Sequence, residues 1–138
     1  MNFIEKAFEQ KLTGDDFLQA MADFYSEPEV EEILDQYPRF VKDVIYIMDY
    51  DTTVQMEGFD EIINGSLEEK FYDIVTALDR CGLEDEVAVI NEAKALSAND
   101  SERYDEEYDA LTKKIALHND YEGFWDAVRK YIDSNLSY

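Results

Sequence analysis

Apolar residues recur along this chain at intervals of three and four, the spacing that lines one face of an α-helix. Phe3, Ile4, Ala7 and Phe8 predict a short first helix, closed by Thr13-Gly14. Asp15 or Asp16 caps a second, with Phe17, Leu18, Met21 and Tyr25 on its inner face. Pro28 suits the first turn of a third, where its missing N–H has no helical partner. Val30, Ile33, Leu34 and Tyr37 are that helix's apolar face, and Pro38 breaks it. The fourth and longest helix starts near Pro38. It sets Val41, Val44, Ile45, Met48 and Thr52 on one face against Asp43, Asp49, Tyr50 and Thr53 on the other, until Gly58 ends or bends it.

Asn64-Gly65 marks a turn, and Ser66-Leu67-Glu68-Glu69 reads as a capping box in which Ser66 and Glu69 bond each other's backbone N–H. Leu67, Phe71, Ile74, Val75 and Leu78 continue that fifth helix, which Gly82 terminates as a left-handed residue. A sixth carries Leu83, Val87, Ile90, Ala93 and Leu96 and ends in Ser97–Ser101. A seventh carries Tyr104, Tyr108, Leu111 and Ile115 up to His118-Asn119-Asp120. The last, with Tyr121, Phe124, Trp125, Val128, Tyr131 and Ile132, has the strongest two-faced pattern. Strand-like alternation is convincing nowhere. The expected fold is all-α, a compact single-domain bundle of about seven or eight helices over residues 1–138.

Composition supports a folded domain: 46% hydrophobic and 14% aromatic residues supply a core that disordered chains lack. One cysteine, Cys81, forms no internal disulfide and fits a reducing compartment. Glu5 and Glu9 interrupt the N-terminal region where a signal peptide would be apolar, and no stretch reaches the length of a membrane span. A soluble cytoplasmic protein is expected.

Charge changes the picture most. Thirty-four acidic against twelve basic residues give a net charge of −22, where about 2–8 suffices for solubility in a small domain. The sign opposes direct binding to nucleic acid or anionic membrane and favours a basic partner. The acids are also clustered. Between Lys11 and Arg39 lie Asp15, Asp16, Asp23, Glu27, Glu29, Glu31, Glu32 and Asp35 with no basic residue. Between Lys42 and Lys70 lie Asp43, Asp49, Asp51, Glu57, Asp60, Glu61, Glu68 and Glu69, again with none. A third cluster is Asp100, Glu102, Asp105, Glu106, Glu107 and Asp109 around Arg103. Helices that only solvate themselves gain from interleaved Lys; these segments forgo it. Acidic residues on adjacent turns, about 5–6 Å apart, can imitate a row of phosphates. Solvation or halophilic adaptation would produce the same composition.

Catalytic chemistry is sparse. His118, the lone histidine, reads as a capping or core residue, and Cys81, at a helix C-terminus, as a buried structural thiol. One His and one Cys build no ordinary zinc site. Asp49-Tyr50-Asp51 opens like a calcium loop, but Val54 stands at the position that needs Gly and Asp60 at the one that needs Glu. Asp120-Tyr121-Glu122-Gly123 fails as well. A carboxylate-based hydrolase would need converging acids in a concave pocket. No enzyme, cofactor or metal is expected.

The segment Val54-Gln55-Met56-Glu57-Gly58-Phe59-Asp60-Glu61-Ile62-Ile63-Asn64-Gly65-Ser66 resembles the motif of the bacterial DNA-mimic-protein-like family. Ala77-Leu78 and Cys81-Gly82 match the end of the family's next helix. Tyr104-Asp105-Glu106-Glu107-Tyr108 and Tyr131-Ile132-Asp133-Ser134-Asn135 resemble its later elements. Glu57 replaces the first glycine of the family's pair, and Ile62-Ile63 stand where aromatics are common. The resemblance spans about residues 44–136 and leaves the N-terminal helices of 1–37 unmatched. It implies an all-α fold, often dimeric, and an acidic protein that mimics DNA to sequester a transcription factor.

The expected function is therefore an acidic protein that occupies the DNA-binding surface of a basic partner such as a transcriptional regulator, with a homodimer open to it. The candidate phosphate surrogates are Asp49, Asp51, Glu57, Asp60, Glu61, Glu68 and Glu69, with Glu27, Glu29, Glu31, Glu32 and Asp35 as a second surface. An immunity or antitoxin-like module that neutralises one protein is the alternative, and an acidic structural domain without mimicry is the other.

Overall fold

Helix α3 (Arg39–Glu57) is the axle of the molecule. It is 19 residues long and buries Phe40, Val41, Val44, Ile45, Ile47 and Val54. It also buries Asp43 and Tyr50, expected on its polar side, and Asp51, expected as a phosphate surrogate. The physical reason is that other elements pack around the whole of α3, so it has no continuous solvent face.

The computed structural model describes residues 1–98 and 104–138. Residues 99–103 lie outside them, and with them Asp100, Glu102 and Arg103 of the third acidic cluster and the end of the expected Ser97–Ser101 stretch. Helix α1 (Phe3–Glu9) starts at Asn2, whose side chain accepts from the Glu5 N–H. Helix α2 (Gly14–Met21) runs into a 3₁₀ turn, Ala22–Tyr25, and then a longer 3₁₀ segment, Pro28–Gln36. After α3, Gly58 adopts φ of +105° and turns the chain into the short α4 (Asp60–Ile63). A 3₁₀ turn, Glu68–Lys70, leads into α5 (Phe71–Arg80), ended by Gly82 at φ of +78°. Helices α6 (Glu84–Ala98), α7 (Tyr104–Thr112), α8 (Ala116–Asn119) and α9 (Tyr121–Asn135) complete the chain. The described residues hold no strand, and eight of their helical segments have seven residues or more. The fold is the expected all-α bundle.

Three local expectations are corrected. The third helix is 3₁₀ rather than α. The Ser66–Glu69 capping box does not form: Glu61 reaches forward instead, and its Oε2 accepts the Ser66 N–H at 2.8 Å. His118 is exposed at the end of α8, not part of the core.

The apolar faces of all these helices meet in one core. Two buried carboxylates pin it. Asp43, 1% exposed, accepts from Arg39 Nε at 3.3 Å, Arg80 Nη1 at 2.9 Å and Tyr131 Oη at 2.5 Å, joining α3, α5 and α9. Glu86 accepts from the Tyr50 hydroxyl at 3.0 Å and the Ala116 N–H at 2.8 Å, joining α3, α6 and the start of α8. Satisfying such groups matters because an unpaired buried charge costs several kcal/mol, roughly 3–5 when a partner is removed. The first helices are tied to the last by the Gly14 N–H on Asp133 Oδ1 at 2.7 Å and by Arg129 on Asp15 at 3.1 Å. The Tyr138 hydroxyl donates to the Leu12 carbonyl.

Candidate functional site

The two acidic segments between Lys11 and Lys70 converge around the ring of Tyr46, a residue of α3. Lys42 Nζ stands 5.5 Å from the ring centre and Lys70 Nζ 5.3 Å. Lys42, one turn before Tyr46, reaches Asp35 Oδ1 at 3.3 Å. Lys70, from the turn before α5, reaches Glu31 Oε1 at 2.7 Å and Asp49 Oδ2 at 3.8 Å. Asp35 and Glu31 of the Pro28–Gln36 segment thus lie beside Asp49 of α3 and the Glu68–Lys70 turn.

Against Asp35 and Glu31 the cation is recessed and the acid stands outside it, whereas Asp49, 18% exposed, lies deeper than Lys70. Lys42 is 17% exposed against 84% for Asp35, and Lys70 29% against 41% for Glu31. Lys94 of α6 repeats the arrangement: its ammonium lies 5.3 Å from the Phe71 ring centre and is 39% exposed against 55% for its partner Glu68. The ammonium groups lie over aromatic rings while their exposed carboxylate partners face water. Glu29, Glu32 and Glu69 are exposed on the same segments with no ion pair to a described cation. The face is therefore negative outward although three lysines are built into it.

Charge here is shaped by burial. Burial raises the Asp49 carboxyl, against the lowering pull of Lys70 and the hydroxyl of Tyr25, which donates at 3.3 Å. Burial pulls the Lys70 ammonium down, but Glu31 and Asp49 outweigh it and hold its affinity for the proton above the ordinary value. Burial also raises the Tyr46 phenol, opposed by Lys42 and Lys70.

The twelve candidate surrogates separate into groups. Glu31, Asp35 and Glu68 are exposed and paired with the lysines of the face just described, Glu29, Glu32 and Glu69 are exposed on the same segments, and Glu27 is half-buried. Asp49 is half-buried beneath it. Asp51 is corrected: it is buried, and its carboxylate accepts from Tyr121 Oη at 2.6 Å and Gln55 Nε2 at 3.4 Å, so it is an internal anchor. Glu61 is occupied in closing the loop to Ser66. Asp60 faces α7, accepting from Tyr108 Oη at 3.0 Å and Asn64 Nδ2 at 2.9 Å. Glu57 is exposed at the end of α3. Lys42, Lys70 and Tyr46 went unnoticed as parts of the face; the Lys42–Tyr46 spacing of four on one helix was their only signal.

Elsewhere, a concavity of about 410 Å³ brings Glu84, Asp85 and Glu86 near Lys114, Asn119 and Asp120. Both oxygens of Glu86 are already held there by Tyr50 and the α8 backbone. No group of three or more His, Cys, Asp or Glu among the described residues is arranged to hold a metal ion. No helix among them is long and apolar enough to cross a membrane.

Residues 35–135 match the family model described as DMP19-like protein. No curated protein and no solved structure matches the chain.

Proposed function

Because the chain belongs to the DMP19-like protein family, we propose that its acidic face serves as a substitute for DNA phosphates and binds a basic DNA-binding protein such as a transcriptional regulator. The observation that carries this reading is the recession of Lys42, Lys70 and Lys94 beneath Asp35, Glu31 and Glu68. A face built only for solubility has no use for partly recessed cations that position exposed acids. Here Lys70 ties Glu31 to Asp49, and Lys42 and Lys94 each hold one carboxylate of another segment, as pre-organised acceptors for charge-assisted bonds from Arg or Lys. The role is binding rather than catalysis.

The Pro28–Gln36 segment supplies half of the proposed face, and its acids Glu29, Glu31 and Glu32 precede the family-matched residues.

The test is capture from host lysate at low salt, elution with duplex DNA, and measurement of the purified pair's affinity across salt concentrations. A DNA competitor and a steep loss of affinity with salt are expected, since each released counterion contributes to the slope. A partner that binds equally well from low to high salt would refute the mechanism. A partner that never binds DNA would point to the protein-neutralising alternative.

A further inference from the structure

Next to the proposed face, one residue on from Phe71, stands an aromatic side chain that no described residue uses. Tyr72, in the first turn of α5, is 75% exposed. Three other tyrosines of described burial are exposed, and each is tied down. Tyr25 donates to Asp49 and packs on Phe24; Tyr121 donates to Asp51 and packs on Trp125; Tyr138 donates to the Leu12 carbonyl. Tyr72 has no such hydroxyl bond or ring contact with a described residue. Its helical neighbours are acids: Glu68 and Glu69 one turn before it and Asp73 beside it.

The same region shows what its rings accept. Tyr46 carries two lysine ammonium groups and Phe71, the residue before Tyr72, carries a third. A ring among carboxylates attracts cations both by its own negative face and by the local field. Tyr46 and Phe71 are satisfied from within the chain, and Tyr72 is left open.

We infer that Tyr72 is the specificity contact of the acidic face: it receives an arginine of the basic partner, guanidinium stacked on the ring and its edge on Glu68 or Glu69, one turn before. Arginine is the fitting occupant because its planar, weakly hydrated group stacks on an aromatic while its edge bonds a carboxylate. Phosphates offer the edge contacts but no such ring, so this contact separates the face from a plain polyanion. The inference rests on the proposed binding role of the face.

The experiment uses two peptides of equal length and charge, one rich in arginine and one rich in lysine, titrated at low salt into the whole protein while the Tyr72 ring resonances are followed. The parent is expected to prefer the arginine peptide roughly two- to five-fold, the size of an exposed cation–π contact. Tyr72→Ala should abolish that preference with unchanged lysine-peptide binding, and Tyr72→Phe should keep it. Tyr72→Ala retaining the preference would overturn the inference, as would ring shifts that grow with protein concentration without peptide, which would mean that a second copy covers the face. Glu68→Gln with Glu69→Gln separates the two levels: loss of binding to both peptides is expected, and no loss would sink the binding role of the face itself.

Discussion

The Tyr50 hydroxyl donates to Glu86 Oε2 at 3.0 Å inside a core where both residues are shut off from water. Burial raises the Glu86 carboxyl above its ordinary range, with the Ala116 N–H, Tyr50 and the Leu117 N–H pulling it partly back. A raised carboxyl binds its proton more tightly in the folded chain than in the unfolded one. Its contribution to stability is full below the unfolded value, about 4.3, and is lost as pH rises through the folded value. Glu86→Gln removes the buried charge, so its stability relative to the parent should improve as pH rises from 4 to 8. Urea melts across that range check this, and a difference that is flat or falls with pH would refute it. Glu86→Ala should instead cost about 2–4 kcal/mol at pH 4, because Tyr50 and Ala116 lose their acceptor, and that cost should shrink with rising pH as the Gln variant's does.

Asp43 is a second buried anchor, and its partners Arg39 and Arg80 reach it from half-exposed positions. Cutting either partner leaves a buried carboxylate under-compensated. Arg80→Ala should cost about 2 kcal/mol and Tyr131→Phe about 1–2 kcal/mol. In a double-mutant cycle Arg80→Ala and Asp43→Asn should couple by more than about 1 kcal/mol. Simple additivity would show that the pair is not an energetic unit.

Cys81 lies near the same carboxylate. Burial and the Asp43 charge push its thiol up to about 12, so almost no thiolate exists at neutral pH. Alkylation of the folded protein at pH 8 should run at least about 100-fold slower than in denaturant. Equal rates would contradict an inert structural thiol.

The loop before α5 hangs on Glu61. Its carboxylate holds the Ser66 N–H, and its carbonyl accepts the Leu67 N–H at 3.0 Å. A Cβ on Gly65 would stand 2.8 Å from the Glu61 Cα and 2.2 Å from Oε2. Glu61→Ala should cost about 1–2 kcal/mol and Gly65→Ala about 1–3 kcal/mol. Ser66→Ala and Glu69→Ala should stay within about 0.5 kcal/mol. Thermal melts decide, and the reverse ranking would restore the capping box.

That loop shows where the sequence was readable and where it was not. Periodicity found the faces of α2, α5 and α9, because each packs one apolar side on the core and leaves the other wet. It failed on α3, where Asp43, Tyr50 and Asp51 look polar but are buried against partners 37, 36 and 70 residues away. No local pattern encodes such partners. Ser66-x-x-Glu69 matched a capping motif, yet the carboxylate five residues earlier took the bond. Pro28–Gln36 kept helical spacing while adopting 3₁₀ geometry, since three- and four-residue periods are hard to tell apart over two turns. The acidic clusters were legible as clusters. Their convergence on Tyr46, and the removal of Asp51 from the surface, depended on the fold.

If the face is kept for binding, its acids should be a burden on stability. Glu29, Glu32 and Glu69 repel one another and the rest of the negative surface without lysines of their own, and such repulsion weakens with salt because the Debye length shrinks from about 30 Å at 0.01 M to about 8 Å at 0.15 M. Replacing all three by Gln should raise the melting temperature by roughly 2–5 °C at low salt. The gain should shrink as salt is added, and affinity for the basic partner should fall at the same time. Solvation alone predicts a different result, in which losing three charges lowers solubility and leaves partner binding untouched. Melting curves at two ionic strengths, set beside binding measured under the same conditions, distinguish the two. A triple variant that binds normally would leave the face with no function beyond keeping the chain in solution.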